Sequence, residues 1–93
     1  MRLIKRINIF RKDYKRELKG KNRKILESEF VEIIEKLIRD HPLEVKYKDH
    51  ALNGEWKDHR DCHIRPDLVL IYRKKGKDIL QLVRIGSHSN LGL

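Results

Sequence analysis

The spacing of apolar residues changes once along this chain, near residue 45, and that change limits the fold to a helical part followed by a stranded part. Before it, Phe10, Tyr14 and Leu18 recur in steps of four and mark one face of a helix over residues 10–19. Gly20 is a natural stop, because glycine past a helix end adopts the left-handed conformation cheaply. Asn22 is placed to cap a second helix. Its inward stripe would be Ile25, Leu26, Phe30, Ile33, Ile34, Leu37 and Ile38, and it must end before Pro42. So short a connection predicts two antiparallel helices. Ahead of them, Arg2 to Ile9 reads as a short strand with imperfect alternation.

After residue 45 the period is two. His59, Asp61, His63 and Arg65 fall on one face of a strand, and Arg60, Cys62 and Ile64 on the other. Pro66–Asp67 supplies a turn. The run "LVLIYR" suits a central strand, "KKGKD" a hairpin connection and "ILQLVRI" a last strand. These elements predict one α+β domain over residues 1–93: an N-terminal strand, a two-helix hairpin, then an antiparallel β-meander. The sheet is expected to have about four strands and to carry both helices on one face.

Charge narrows the partners. Lys and Arg number 23 against 14 Asp and Glu, a net charge of +9, and such a surface attracts polyanions, chiefly nucleic acid. A basic surface kept only for solubility is the plainer explanation. The charge is uneven: residues 15–24 hold six bases and one acid, whereas residues 25–40 hold five acids and two bases. Lys15, Arg16, Lys19, Lys21, Arg23 and Lys24, with Arg60, Arg65 and Arg73 of the strands, are therefore the candidate RNA-binding cations. The lone Cys62 excludes an internal disulfide. No stretch reads as a signal peptide or a membrane span, so a soluble cytoplasmic protein is expected.

Five histidines stand at 41, 50, 59, 63 and 88. If Cys62 and Ile64 pack on the helices, Asp61 and His63 look outward, and a histidine there suits proton transfer near neutral pH as well as it suits an ordinary surface. A metal site is the competing reading of His50, Asp61, Cys62 and His63. Their spacing matches no zinc pattern, and the neighbours Cys62 and His63 face opposite ways on a strand. No Gly-x-Ser-x-Gly elbow and no glycine-rich phosphate loop is present. RNA cleavage needs neither metal nor covalent nucleophile: the 2′-hydroxyl attacks the phosphate while the enzyme accepts one proton, donates another and steadies the extra charge. Histidine, carboxylate and arginine are the types for that work.

The segment 47–91 resembles the YafQ-like branch of the RelE toxin superfamily. It carries DH-x-L-x-G-x-W-K (49–57), R-D-x-H-I-x-P-D (60–67), L-I-Y (70–72) and R-x-G-S-H (84–88), in order and correctly spaced. The resemblance implies the toxin of a type II toxin–antitoxin system: an endoribonuclease that cuts mRNA on the translating ribosome and is silenced by a cognate antitoxin protein; with no credible metal constellation in the sequence, cleavage is expected to need no metal or cofactor. It carries over Asp61 as a catalytic position, assigns proton handling to His50, His63, His88 and Asp67, and assigns bracing of the phosphate to Arg84. Gly54 and Trp56 are read as structural, His41 and His59 as surface residues. Two departures bear on activity: "SNLGL" has no aromatic after His88, and Leu68 stands where a tryptophan can occur. The alternatives are a ParE-like toxin that blocks gyrase by binding, and a plain RNA-binding protein.

Overall fold

The four-step stripe Phe10, Tyr14, Leu18 lies on helix α1 (Asn8–Leu18) in a computed structural model that describes residues 1–93. The second stripe is carried by two helices, α2 (Arg23–Glu27) and α3 (Glu29–Ile38), rather than one. Ser28 interrupts them with φ −125° and ψ −87°, its hydroxyl donating to the Lys24 carbonyl at 2.8 Å. A serine that bonds back into its own turn competes with the helical ladder, and period counting does not see it. Asn22 does not cap α2; its amide donates instead to Glu17 Oε1 at 2.8 Å and ties the α1–α2 turn together.

The stranded half contains β2 (His50–Ala51), β3 (Arg60–Arg65), β4 (Leu68–Lys75) and β5 (Ile79–Gly86), followed by a single helical turn, α4 (His88–Leu91). One-turn 3₁₀ segments at Val45–Tyr47 and Gly54–Trp56 flank β2. With β1 (Leu3–Arg6) the sheet has five strands in the order β1-β5-β4-β3-β2, one more than expected, because two-residue β2 is too short to show a period. The meander β2 to β5 is antiparallel as its short turns dictate. β1 is the exception: it lies at the edge, parallel to β5, with Leu3 opposite Ile79 and Arg6 opposite Leu82.

The two sheet faces differ. On one, α1, α2 and α3 bury a core of sixteen residues, among them Phe10, Leu26, Ile33 and Leu37 against Cys62, Ile64, Leu70 and Tyr72. Each aliphatic side chain withdrawn from water here contributes about 1.5–3 kcal/mol. The other face has only Val69, Ile71, Val83 and Leu91, with Leu52 and Trp56 packed against them. Gly54 holds φ +63°, which lets the loop turn and lay Trp56 over this patch.

β1 covers only the first half of β5. Beyond it, α1 completes the open edge with side chains: Asp13 Oδ2 accepts the Ile85 N–H at 3.2 Å, and Arg16 Nη2 donates to the Ile85 carbonyl at 2.8 Å. This approach requires Gly86, where a Cβ would sit 2.6 Å from Arg16 Nη2. Asp13 also takes Arg84 Nε at 2.7 Å, Arg84 Nη2 at 3.2 Å and Arg16 Nη1 at 3.0 Å.

Candidate active site

Cross-strand register gathers the site. His50 pairs with Asp61, Asp61 with Ile71 and Ile71 with Arg84, so these four form one row across the sheet. The neighbouring row is His63, Val69 and Gly86. Residues two apart on a strand share a face, so both rows lie on the face opposite the helical core, while Cys62 and Ile64 are buried among the helices. Alternation fails at Arg65, which was expected beside His63. The β3–β4 register shifts between His63 and Arg65, and the Arg65 side chain reaches Glu29 of α3 instead.

His88 joins the group from α4. Ser87 Oγ accepts the Asn90 N–H and Asn90 Oδ1 accepts the Ser87 N–H, both at 3.1 Å, a reciprocal cap that fixes the turn. Asp67, at the β3–β4 turn, accepts the His88 backbone N–H at 3.1 Å and its Nδ1–H at 2.9 Å. The His63 ring centroid is then 5.2 Å from that of His88 and 6.2 Å from that of His50.

Asp61 sits beneath the three rings. It is on the expected face but not open to solvent: its exposure is 3%. Its Oδ1 lies 3.0 Å from His50 Nδ1 and 3.9 Å from His63 Nε2. Nδ1 of His50 is nearer to the Lys48 carbonyl, at 2.7 Å, and a carbonyl only accepts, so the Nδ1 hydrogen goes there. Asp61 Oδ1 is left buried without a hydrogen bond. Lys48 holds φ +49°, a left-handed conformation that turns its carbonyl toward the ring.

These environments set the charges. Burial pushes the Asp61 carboxyl above the usual carboxylate range, against the opposing pull of the His50, His63 and His88 charges. Burial also pushes the His63 imidazole below its ordinary value; Asp61 opposes this, and His88, His50 and Lys48 reinforce it. Hydrogen bonds from His88 hold Asp67 below the usual range. Burial raises the Cys62 thiol, which faces away from the histidines. No group of three or more His, Cys, Asp or Glu side chains is arranged to hold a metal ion.

A cavity of about 560 Å³ opens beside His63 and His88, walled also by Lys46, Tyr47, Lys48 and Arg65. Lys46 and Lys48 were not among the expected cations; both stand just before the DH motif in "KYKDH", and that position was the available signal. Of those that were, Lys15, Lys19, Lys21 and Lys24 are exposed, and Arg23 is exposed and paired to Glu27 at 3.4 Å. Arg16 is committed to Asp13 and Glu17, Arg60 donates to Asp49 at 3.2 Å, and Arg73 is half-buried on β4. Arg84 is held by buried Asp13, keeping its Nη1 hydrogens free.

Two motif positions acquire a structural meaning that spacing did not give. Asp49 accepts from the hydroxyl of Tyr72, a ring 1% exposed in the core, and this bond pins the Val45–His50 segment to the sheet. Burial, then Asp49, pushes the Tyr72 phenol far above its ordinary value, so it stays a donor. Of the remaining histidines, His59 packs edge-on against Trp56 at 5.4 Å and His41 is exposed; neither joins the group.

Comparison with known proteins is consistent across the chain. Residues 2–92 match the family model described as the bacterial toxin of a type II toxin–antitoxin system, YafQ. Among solved structures, a copper-bound mutant toxin from Helicobacter pylori is 39% identical with a TM-score of 0.87, covering 98% of this chain and 99% of its own. YafQ from E. coli strain BL21(DE3) is 34% identical, with a TM-score of 0.83 and 98% of each chain covered. A crystal structure of the E. coli DinJ–YafQ complex gives 35% identity, a TM-score of 0.81 and 98% of each chain. A search of curated proteins gave no match.

Proposed function

The chain belongs to the YafQ family of bacterial type II toxin–antitoxin toxins, and from that premise we propose that it is an endoribonuclease cutting mRNA on the translating ribosome. The observation that carries this reading is the convergence of His50, His63 and His88 around a buried Asp61 carboxylate whose Oδ1 has no hydrogen bond, beside a cavity edged by Lys46 and Lys48. A surface that only binds has no use for a carboxylate buried at cost beneath three proton carriers.

The RNA supplies its own nucleophile. His63, kept neutral at pH 7 by burial, accepts the proton of the attacking 2′-hydroxyl. His88, oriented by Asp67, donates to the departing 5′-oxygen. Asp61 stabilises the positive ring that forms, and His50 lies between that carboxylate and the Lys48 carbonyl. Arg84 turns its free Nη1 toward the phosphate, with Asp13 fixing its plane. No step requires a metal, and the products are a 2′,3′-cyclic phosphate end and a 5′-hydroxyl. The physiological partner is a cognate antitoxin, as DinJ is for the E. coli relative; acidic segments of it meet the +9 surface. No helix is long and apolar enough to cross a membrane, and the site of action is the cytoplasm, where ribosomes translate.

The test is purified protein with pre-assembled translating ribosomes in excess chelator. Expected is mRNA cut with 2′,3′-cyclic phosphate ends. RNA that is retarded but intact would leave a binding protein, and activity restored only by one added metal would overturn the mechanism.

A further inference from the structure

A second cleft, of about 420 Å³, lies between the α1–α2 turn and the α4 turn, and nothing above gives it a task. Its walls include Arg16, Lys21, Asn22, Leu68, Ser87 and Asn90. It adjoins the histidine cavity. Arg65 lines both, and Asp67, on the wall of this cleft, holds His88, whose ring is on the wall of the other. The Asp67–His88 pair is the divide between two spaces.

A strand whose scissile phosphate rests at His88 leaves it in two directions, one through each space. The chemistry of the second cleft suits a nucleotide. Three cations, Arg16, Lys21 and Arg65, line it against two carboxylates, Glu17 and Asp67; Arg16 pairs with Glu17 at 3.0 Å, and the Lys21 ammonium is exposed. Asn22 spends its amide N–H on Glu17, so its Oδ1 remains an acceptor. Asn90 spends its Oδ1 on the Ser87 N–H, so its Nδ2 remains a donor. Leu68 is the one apolar wall residue, and no aromatic ring is present.

We propose that this cleft is a second nucleotide subsite, holding the RNA residue across the Asp67–His88 divide from the histidine cavity by hydrogen bonds and one ammonium rather than by stacking. The inference rests on the nuclease reading. It also gives the aromatic-free "SNLGL" terminus a consequence: selection at this position works through base edges, with Asn22 and Asn90 as the readers.

The probe is a 2′-O-methyl tetranucleotide, which has no hydroxyl to attack and is not cut. Titrated into the full chain, it should shift the backbone amide signals of Lys21, Asn22 and Asn90 together with those of Tyr47, Lys48 and His63. The Lys21→Ala/Asn22→Ala variant, altered only in the turn, should bind about tenfold more weakly and still show the shift at His63. On cleavable RNA its KM should rise more than its kcat falls, and its cleavage sites should lose base preference at one flanking position. Shifts confined to the histidine cavity, or unchanged affinity in the variant, would overturn the subsite and leave the nuclease standing. Absence of shifts in both spaces would overturn both.

Discussion

Two buried aspartates, each 3% exposed, divide the molecule between them. Asp13, on α1, has both oxygens saturated by Arg84, Arg16 and the Ile85 N–H. Burial pushes its carboxyl up, but those partners outweigh burial and hold it below the usual range. Asp61 has one oxygen unbonded, and there burial prevails. Equal burial therefore produces opposite chemistry, and the deciding variable is the number of donors supplied. A carboxylate given every partner holds a fold together; one denied a partner keeps its charge available to whatever becomes positive above it.

The contrast breaks most sharply at the rings over Asp61. His63→Ala and His88→Ala should lower cleavage about 10²- to 10⁴-fold while the protein stays folded. His50→Ala should follow them. Loss of folding in these variants, read by thermal melts, would move the histidines to the structural side.

Asp13→Ala should have the largest effect on folding. It leaves the largely buried Arg84 without its carboxylate and the Ile85 N–H without an acceptor, and should cost about 3 kcal/mol. Asp61→Asn should melt at or above the parent near pH 7, because it removes a buried charge that lacks a hydrogen bond, yet it should still slow cleavage. Urea denaturation of both variants checks the pair; equal destabilisation would erase the distinction.

The acid limb sharpens it further. Asp13 has a lowered folded pKa, so its stabilisation is present above its unfolded value of about 3.8 and is lost as pH falls through the folded pKa. Asp61 has a raised folded pKa, so the benefit of neutralising it appears only as pH rises from about 3.8 through that raised value. Stability curves against pH should thus converge with the parent at low pH for both variants and diverge in opposite directions above it.

The smallest expected changes are at the supports. Tyr72→Phe removes one hydrogen bond to Asp49, should cost about 1 kcal/mol, and should lower cleavage by loosening the His50 segment. His41→Ala and His59→Ala should leave cleavage near the parent value; strong loss in either would mean the group over Asp61 is drawn too narrowly.

The sequence made the Asp61 side of this contrast visible and hid the Asp13 side. His50, Asp61, His63, Asp67 and His88 sit in a stretch whose spacing resembles a known family, and strand alternation separates His63 from Cys62. Asp13 stands three residues from buried Phe10, on the face a helix turns inward, and an acid at such a position calls for a basic partner. That partner, Arg84, is supplied from the far end of the chain by tertiary packing, beyond the reach of local period. The bulge that sends Arg65 toward Glu29 and the break at Ser28 are likewise single-residue events that no repeat announces. The helical and stranded halves were legible because each rests on many residues; the parallel β1 was not, because direction in a sheet is a property of the whole path.

That parallel edge has a consequence for how the molecule comes into being. β1 has Ile79–Leu82 as its only strand partner, and Leu3 lies opposite Ile79, 79 − 3 = 76 positions away along the chain. The intervening chain must be closed into one long loop before the first ladder bond of β1 forms, an entropic toll that local helices escape. α1 and α3 form from contacts near in sequence, whereas β1 waits for Ile79–Leu82 to come into place. Val69 and Ile71, which underlie the histidine face, have Gly86 and Arg84 of that same strand as their neighbours, across a short hairpin.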